Sequence, residues 1–493
     1  MTPDFINPQV LTGPTPFSPR GRGYFQWSAL LILSTVFVHF LAFFPGIYTY
    51  DSADQLAQAL TGQYYDWHPP LMAYLWSGMI QVTGHHESIF FFPLCLLTAG
   101  GLCWAKLIAL GRRPATTLLI PLAFISPVFT NFAGTIWKDV EFAFAMLLAA
   151  GLAGLGTIEQ KYSLAWTGLS IALLICSLGF RTNGGFALLP ILVLCGHQFT
   201  HKRYAAHSSL QQSAATCTLS TLMLTLVIGF VFAISKFVIK PVNSYPFQYV
   251  ELFDLAGIST LSKHDYFPDH IKQTPGYRLQ DVAKEYERST RQLGNADNLI
   301  FPNDNTSVSI LPLNRDAMLQ HQLHAAWLGA ILKEPRHYIE HRLKIFQYLM
   351  NKRHYTYELP QDPVDRAKLL QKRQVHLSTP ALQPLDLIGM SHAKAWVARS
   401  MKSVDGSAIF SGWLWLCLLL LELVASLILL EAGPVKHLAL AVASSGILYT
   451  LPYFLVAPAA DFRYLFWSTI AGTFAGIILI AEIDLGQYFS RKL

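Results

Sequence analysis

Apolar residues along this chain occur in long continuous blocks rather than at the alternating or helical spacing of a soluble protein. Several blocks reach about 18 residues with few charges, the length that a helix needs to cross a membrane. We place about ten spanning helices, near 27–45, 88–110, 115–133, 140–157, 163–180, 184–197, 213–238, 408–430, 437–456 and 464–482. The block at 70–83 is too short to span, so we expect a helix that lies at the membrane surface or dips into it.

Basic residues lie before the first predicted span, after the second, fourth and sixth, between the eighth and ninth, and at the C-terminus. The positive-inside rule makes these segments, and both termini, cytoplasmic. The first block is too long for a signal peptide, and we read it as a retained span. The sequence therefore divides into a cytoplasmic N-terminal tail, a membrane module with a polar first loop at 46–87, an extracytoplasmic region and C-terminal membrane helices, at 1–26, 27–238, 239–407 and 408–493.

The extracytoplasmic region has a soluble composition and helical patterns at Leu279–Leu293, Arg315–Leu332 and Pro335–Met350. The last pattern is basic and amphipathic, and we expect it to rest on the membrane surface. Its predicted apolar face consists of Ile339, Leu343, Phe346 and Leu349. His337 and His341 are spaced as zinc ligands on a helix, but no third ligand is evident, which favours a polar stripe.

Composition agrees with a membrane protein, because 52% of the residues are hydrophobic and 13% are charged, against about 25% charged in soluble domains. The net charge of +6 is explained by basic residues just inside a membrane, and no nucleic-acid partner is needed. The six cysteines lie in apolar blocks without metal-ligand spacing, as expected of packing residues.

Acidic residues in the first extracytoplasmic loop suggest chemistry. Asp51 follows the first span by a few residues, and Asp54 comes one helical turn later. Asp51 or Ser52 could cap a helix running to Leu60, with Asp54 near its N-terminus. Because Asp51 lies at the membrane boundary, partial desolvation should raise the pKa of its carboxyl towards the value that a general base needs.

His68, further along this loop, precedes two prolines that fix an extended entry into the next helix. It could bind substrate, ligate a metal or be an interfacial turn residue. A divalent metal could be held by Asp51, Asp54 and His68 together, although the sequence contains no established metal motif around them.

Two short loops add further charges at the same face. Lys138 and Asp139 lie where a span re-enters the membrane, either as an interfacial ion pair with Lys138 snorkelling or as a substrate site. Arg181 and Asn183 lie in a loop too short to be well solvated. An arginine facing lipid there costs about 2.5–3.5 kcal/mol, so we expect Arg181 to face a cavity or an anion.

The last extracytoplasmic loop contains Asp461 and Arg463, which could simply pair with each other. Taken together, the four loops supply carboxylates, a histidine and three cations, a set that suits a lipid phosphate with a polar head group. Aromatic residues crowd the same boundary, and we expect them to form an interfacial belt. They are Tyr48, Tyr50, Tyr64, Tyr65, Trp67, Trp137, Tyr453, Tyr464 and Trp467.

At these residues the chain resembles the GT-C superfamily of polyprenyl-phosphate-sugar-dependent glycosyltransferases, which includes the protein O-mannosyltransferases and the aminoarabinose transferases of lipid A. The resemblance covers most of the membrane portion, but the chain lacks the adjacent Asp-Glu pair of the mannosyltransferases. The matching motifs, in this order, are Tyr50-Asp51-Ser52, His68-Pro69-Pro70-Leu71, Trp137-Lys138-Asp139, Arg181-Thr182-Asn183-Gly184 and Asp461-Phe462-Arg463-Tyr464.

The resemblance implies a GT-C-like helical bundle with a mainly helical extracytoplasmic region, and an inverting transfer of sugar from a polyprenyl-phosphate donor to a glycan or lipid acceptor. It implies that Asp51 is the catalytic base and that the phosphate is held by Arg181, Arg463 or Lys138. The substrate-binding candidates are Asp54, His68, Lys138, Asp139, Arg181, Asn183, Asp461, Arg463 and Tyr464.

The implied location is a bacterial inner membrane, with the active site on the periplasmic side and membrane lipids around the bundle. Two alternatives remain: a polysaccharide polymerase or ligase, which would use the same kind of donor, and a flippase or transporter of lipid-linked sugars. Transporters place ionisable residues near the membrane midplane, whereas the charges singled out here lie at span ends.

Overall fold

The structure is a computed structural model, and it describes residues 18–159, 162–203, 208–292, 294–301, 309–351, 363–373, 375, 390–404 and 406–483. Within these ranges the regular structure is helical, apart from three isolated β-bridges. The all-α class predicted from the sequence is therefore confirmed for the described part of the chain. The predicted N-terminal tail up to residue 17, Leu293 and the basic C-terminus lie outside the described residues.

The first helix begins at Pro19 rather than at 27, and the other helices before the long polar region begin within about five residues of the predicted starts. The helices of this part of the chain are α1 Pro19–Phe43, α2 Tyr50–Thr61, α3 Leu71–Thr83, α4 Phe91–Ala109, α5 Leu119–Phe124, α6 Pro127–Ala133, α7 Lys138–Ile158, α8 Ser163–Phe180, α9 Gly185–Arg203 and α10 Ser209–Ala233.

The region 239–407, which we call the helical insert, consists of helices joined by loops where it is described, and the three helices predicted within it are confirmed. Its helices are α11 Gln248–Ser262, α12 Asp269–Lys272, α13 Leu279–Gln292, α14 Asp297–Ile300, α15 Ala317–Lys333, α16 Pro335–Asn351, α17 Pro363–Lys372 and α18 Met390–Val404. The C-terminal helices are α19 Gly412–Leu429, α20 Pro434–Thr450, α21 Tyr453–Val456 and α22 Phe466–Glu482.

Several long apolar helices indicate a multi-pass membrane protein. Within the described residues, 8 helices are long and apolar enough to cross a membrane, or up to 9 if the pair α5 and α6, bent by 55°, forms one span. Ser126 causes the bend, because it is extended and precedes Pro127, and a residue before proline disfavours the helical conformation. The 8 helices are Pro19–Phe43, His86–Ala109, Lys138–Ile158, Ser163–Phe180, Ser209–Ile239, Gly412–Leu429, Pro434–Val456 and Phe462–Glu482.

The sixth predicted span corresponds to α9, which is absent from that set because its last two turns are polar. This helix nevertheless runs antiparallel to α20 over most of its length. Near one end of α9, Ser445 Oγ donates to Ala187 O at 2.6 Å, and near the other end the rings of His197 and His437 lie 4.6 Å apart. The count of ten spans stays a prediction.

Contacts between helix termini define two ends of the bundle. At one end, where α4 and α7 finish, Lys106 Nζ lies 2.7 Å from Glu159 Oε1. At the other, α1 finishes and α7 begins, and Ile47 forms a parallel β-bridge with Thr135. We call this second end the Asp51 end, because α2 starts there.

A buried polar network holds the helical insert together. Asp254 on α11 is fully buried, and its Oδ2 accepts from Arg342 Nη2 at 2.7 Å and from Trp327 Nε1 at 2.8 Å. Its Oδ1 lies 3.1 Å from His341 Nε2. Arg342 also donates through Nη1 to Ala457 O at 3.0 Å. The network therefore joins the insert to the loop before α22.

The predicted membrane-facing side of α16 was wrong in part. Phe346 and Leu349 are buried within the protein, whereas Ile339 and Leu343 are 48% and 44% exposed. The buried face of α16 includes Arg342 and packs against α11, because the charge network on α11 needs its partner from α16.

The histidine pair on α16 does not form a shared site. His337 Nδ1 lies 2.9 Å from Glu334 Oε2, while His341 Nδ1 bonds with the Tyr286 hydroxyl at 2.9 Å. Each imidazole thus has its own partner within the insert, but His341 is fully buried, so the expected polar stripe was wrong for this residue.

Replacing Arg342 by Gln should destabilise the folded protein by about 3–5 kcal/mol, because the buried Asp254 carboxylate loses its cation. The measurement is thermal or denaturant unfolding of the full-length protein in detergent. A matched control is Arg278→Gln, since Arg278 pairs with Asp281 on an exposed helix face and should change stability by less than about 1 kcal/mol. Equal stability of the two variants would contradict the role of the network.

Candidate functional site

Asp51 lies in the first turn of α2, and its side chain does not take part in capping that helix. The N-cap residue is Thr49 rather than Asp51 or Ser52, although Ser52 takes part in capping because its side chain completes a capping box with Thr49. Ser52 Oγ also donates to Ile136 O at 2.7 Å, and Trp137 Nε1 donates to Thr49 Oγ1 at 2.8 Å. These bonds fix the start of α2 against the loop that leads into α7.

Asp51 pairs with Arg463 from the last loop. Arg463 Nη1 donates to Asp51 Oδ2 at 2.6 Å, and His68 Nε2 lies 3.7 Å from Asp51 Oδ1. Arg463 Nε lies 2.9 Å from Asp461 Oδ2, and Nη1 lies 4.0 Å from Asp139 Oδ2. The side chains of Asp51 and Arg463 are 26% and 16% exposed, respectively, so this is a largely desolvated cluster in which one arginine serves three carboxylates.

This cluster reverses the expected pKa of Asp51. Burial raises the pKa, as the sequence argument anticipated, but the charges of Arg463, His68 and Lys138 lower it by more, so it lies well below its ordinary value of 3.8. Burial and Lys138 lower the pKa of His68, and Asp51 only partly offsets them. In the resting site Asp51 is therefore ionised and a weak base.

Arg181 faces an anion, as expected, and the anion is the carboxylate of Asp139, with which it forms a close ion pair. Its Nε and Nη2 donate to the Tyr453 hydroxyl at 3.0 and 2.6 Å. Asn183 Nδ2 contacts the same hydroxyl at 3.4 Å. Lys138 lies 3.9 Å from Asp139, and its side chain is 12% exposed, so it is buried rather than snorkelling.

Aromatic rings enclose both arginines. The guanidinium carbon of Arg181 lies 4.8 Å from the centroid of the Tyr464 ring, and that of Arg463 lies 4.8 Å from the Trp137 ring. Planar guanidinium groups stack well on such faces. The predicted interfacial belt was wrong for the aromatic residues that are buried within the protein, namely Tyr48, Trp137, Tyr453, Tyr464 and Trp467.

Asp54 has a separate environment from the Asp51–Arg463 pair. Its carboxylate accepts a short hydrogen bond from the Tyr65 hydroxyl and a longer one, 3.4 Å, from Gln58 Nε2. Asp51, Asp54 and His68 do not form a metal-ligand set, and no such group of three His, Cys, Asp or Glu side chains occurs in the described ranges.

The helical insert contributes a carboxylate that sequence reasoning missed. Asp297 Oδ1 accepts from the Tyr249 hydroxyl at 2.8 Å. Burial raises the pKa of Asp297, while Asp51 raises it and Arg463 lowers it through their charges, so Asp297 belongs electrostatically to the same site. No local motif marks it, because its sequence neighbours read as an ordinary turn.

Backbone pairing holds this part of the insert at the last loop. Ala460 N donates to Gly294 O at 2.8 Å, and Asn295 forms an antiparallel β-bridge with Ala459. A Cβ at Gly294 would lie 2.7 Å from the Ala460 Cβ, so glycine permits the close approach.

Glu422 is a second group that sequence reasoning missed, and it lies half-way along α19, away from the site. It is 5% exposed, and a Cβ at Gly476 on α22 would lie 2.8 Å from its Oε1. Glycine at 476 therefore makes room for a carboxyl inside the bundle.

The candidate site can bind an oxyanion and position a carboxylate next to it. Arg463 is shared among carboxylates and can exchange one of them for a ligand anion, since guanidinium binds carboxylate and phosphate with the same fork. Arg181 is more firmly held. Asp51 contacts Arg463 through Nη1, whereas Asp461 contacts it through Nε, so a group that replaces the Asp51 carboxylate on Arg463 would lie next to Asp51 and His68.

Replacing Arg463 by Gln should raise the pKa of Asp51, because burial then acts without the nearest opposing charge. At a pH below the pKa of Asp51 in both folded proteins, the carboxyl is protonated in each. The stabilities of the wild type and the variant then differ only through the other contacts of Arg463. As the pH rises from below 3.8, Asp51 ionises at a lower pH in the wild type than in the variant. The folded variant therefore loses stability relative to the wild type, by about 1.4 kcal/mol for each unit by which the two pKa values of Asp51 differ. The gap in unfolding temperature should widen from acid to neutral pH.

The same pH series in an Asp51→Asn background is the control for this prediction. There the stability gap that the Arg463→Gln substitution causes should vary less with pH, because the titrating carboxyl is gone. A gap that widens equally in both backgrounds would show that another carboxylate, not Asp51, depends on Arg463.

Comparison with protein-family models, with curated proteins and with solved structures found no match for this chain.

Proposed function

We propose that this protein is an integral membrane glycosyltransferase that moves a sugar from a polyprenyl-phosphate donor to a hydroxyl of a cell-envelope glycan or lipid, with inversion. The observation that carries the proposal is the 2.6 Å contact between Asp51 in the first loop and Arg463 in the last. An acid and a phosphate-binding cation must lie side by side for such a transfer, and these two do so at a bundle end.

In this mechanism the donor phosphate displaces the Asp51 carboxylate from Arg463. The guanidinium then neutralises charge that grows on the phosphate as the glycosidic C–O bond breaks. Asp51 takes the proton of the acceptor hydroxyl, whose oxygen attacks the anomeric carbon. The bonding electron pair leaves with the phosphate, and attack from the opposite side inverts the configuration.

Displacement by the phosphate also explains how Asp51 can act as a base although its pKa is low in the resting site. While Arg463 is paired with Asp51, the carboxylate is too weak a base. A bound phosphate compensates the charge of Arg463 and adds negative charge, so the proton affinity of Asp51 rises when the donor is present. The base is thus active only next to its substrate.

Arg181 and His68 have supporting roles in this proposal. Arg181 is held by Asp139 and Tyr453, so it supplies a fixed positive potential beside the phosphate rather than a moving ligand. His68, 3.7 Å from Asp51, orients the carboxylate. We place the site on the periplasmic side of a bacterial inner membrane, where lipid-linked sugars meet envelope acceptors.

Replacing Asp51 by Asn should lower the turnover number by about 10²–10⁴-fold while leaving a folded protein, because the amide cannot accept the acceptor proton. The assay follows radiolabel from polyprenyl-phosphate-linked sugars into envelope glycan and lipid extracts. The matched control is Asp281→Asn, since Asp281 pairs with Arg278 on an exposed helix face, and it should retain turnover within about twofold.

Near-normal transfer by the Asp51→Asn protein would remove Asp51 as the base. Product analysis separates the related activities, because a polymerase or ligase yields chains or whole glycans where a transferase adds one sugar. Label that changes membrane side while remaining on the polyprenyl carrier would identify a flippase.

A further inference from the structure

Three aromatic side chains meet next to the candidate site, and we call them the aromatic wall: Trp67, Tyr249 and Phe301. Ring centroids of Trp67 and Phe301 lie 6.1 Å apart, those of Trp67 and Tyr249 6.5 Å, and those of Tyr249 and Phe301 6.3 Å. The wall joins two parts of the chain, because Trp67 belongs to the first loop and the other two rings belong to the helical insert.

The aromatic wall lies beside the charged cluster. Trp67 directly precedes His68, whose imidazole is 3.7 Å from the Asp51 carboxylate. The Tyr249 hydroxyl donates to Asp297 Oδ1 at 2.8 Å, and Asp297 experiences the charges of Asp51 and Arg463. The aromatic wall is therefore linked to the charged cluster through His68 on one side and through Asp297 on the other.

Two members of this group remain accessible. Phe301 is 38% exposed, in contrast to 8% for Tyr249, which supports it from behind. Asp297 also keeps exposed surface, although neighbouring groups desolvate its carboxylate and Asn295 Nδ2 donates to its Oδ2 at 2.9 Å and Tyr249 to its Oδ1. Each carboxylate oxygen can accept a second hydrogen bond, and Tyr249 links this fixed carboxylate to the exposed ring of Phe301.

This combination matches the chemistry of a sugar ring. A pyranose has apolar C–H faces, which pack on aromatic rings, and hydroxyl or amino groups at its edge, which donate to a carboxylate. An acyl chain of a lipid would use the rings but would desolvate Asp297 without supplying any donor to its remaining acceptor positions, at a cost. A phosphate would be repelled by Asp297.

We infer that the aromatic wall and Asp297 form a subsite for a sugar ring, built from Trp67 of the first loop and from three residues of the helical insert. The inference rests on the proposed function, since a glycosyltransferase binds a sugar on its donor and often a second sugar on its acceptor. Asp297 and Phe301 then select the sugar, whereas Arg463 binds the phosphate.

Saturation-transfer NMR on the full-length protein in nanodiscs tests the inference, with methyl glycosides of glucose, galactose, mannose and N-acetylglucosamine as probes. At least one glycoside should receive saturation from the wild type. Asp297→Asn, which keeps the hydrogen bond from Tyr249, and Phe301→Leu should each reduce that saturation at least fivefold. Thermal unfolding of each variant should show that it is folded.

Matched controls are Asp281→Asn and Phe247→Leu, an acid and an exposed phenylalanine of the insert outside the group, and both should bind the glycoside as the wild type does. Binding of no glycoside by the wild type, or equal binding by Asp297→Asn, Phe301→Leu and the wild type, would overturn the inference.

Two further arms identify the source of the sugar. If the wall holds the donor sugar, Asp297→Asn weakens the binding of a polyprenyl-phosphate-linked sugar at least fivefold but leaves that of polyprenyl phosphate unchanged. If it holds the acceptor, a methyl glycoside binds together with the lipid-linked sugar. Wild-type protein that binds glycosides but no polyprenyl phosphate would support the subsite and contradict the proposed function.

Discussion

Neutralising buried arginines is the constraint on which the arrangement of this protein depends. Arg463 and Asp51 are 412 residues apart in sequence, yet neither charge is tolerable in a desolvated site without the other. The pairs Arg181–Asp139 and Arg342–Asp254 follow the same requirement. Each pair joins segments that the chain leaves far apart, so charge pairing, together with apolar packing, determines which loops meet.

The same constraint sets a chemical compromise at Asp51. A carboxylate that neutralises an arginine is a stable structural partner, but its proton affinity is low. A site built this way has its charges satisfied before a ligand arrives, and an incoming anion only exchanges one partner for another. Such exchange avoids ever exposing an unpaired guanidinium at the end of an apolar bundle.

The helices were predictable because apolar blocks of membrane length carry a strong signal, and the candidate residues of the four loops indeed converge. Their pairing was not predictable, since nothing local assigns Asp139 to Arg181 or Asp51 to Arg463. Asp297 was missed for the same reason: it reaches the site through tertiary contacts of the insert. Burial of the aromatic residues also depended on packing that composition does not reveal.

The helical insert forms hydrogen bonds with the last loop at two places, between Arg342 and Ala457 and between Gly294 and Ala460. Only a few residues separate these two hydrogen-bonded positions from Arg463. The last loop is therefore short, and it is bound to the insert at one side and to the bundle at the other. A tilt of the insert would therefore shift the Arg463 guanidinium directly, so the position of the insert and the charge balance at the Asp51 end are mechanically coupled.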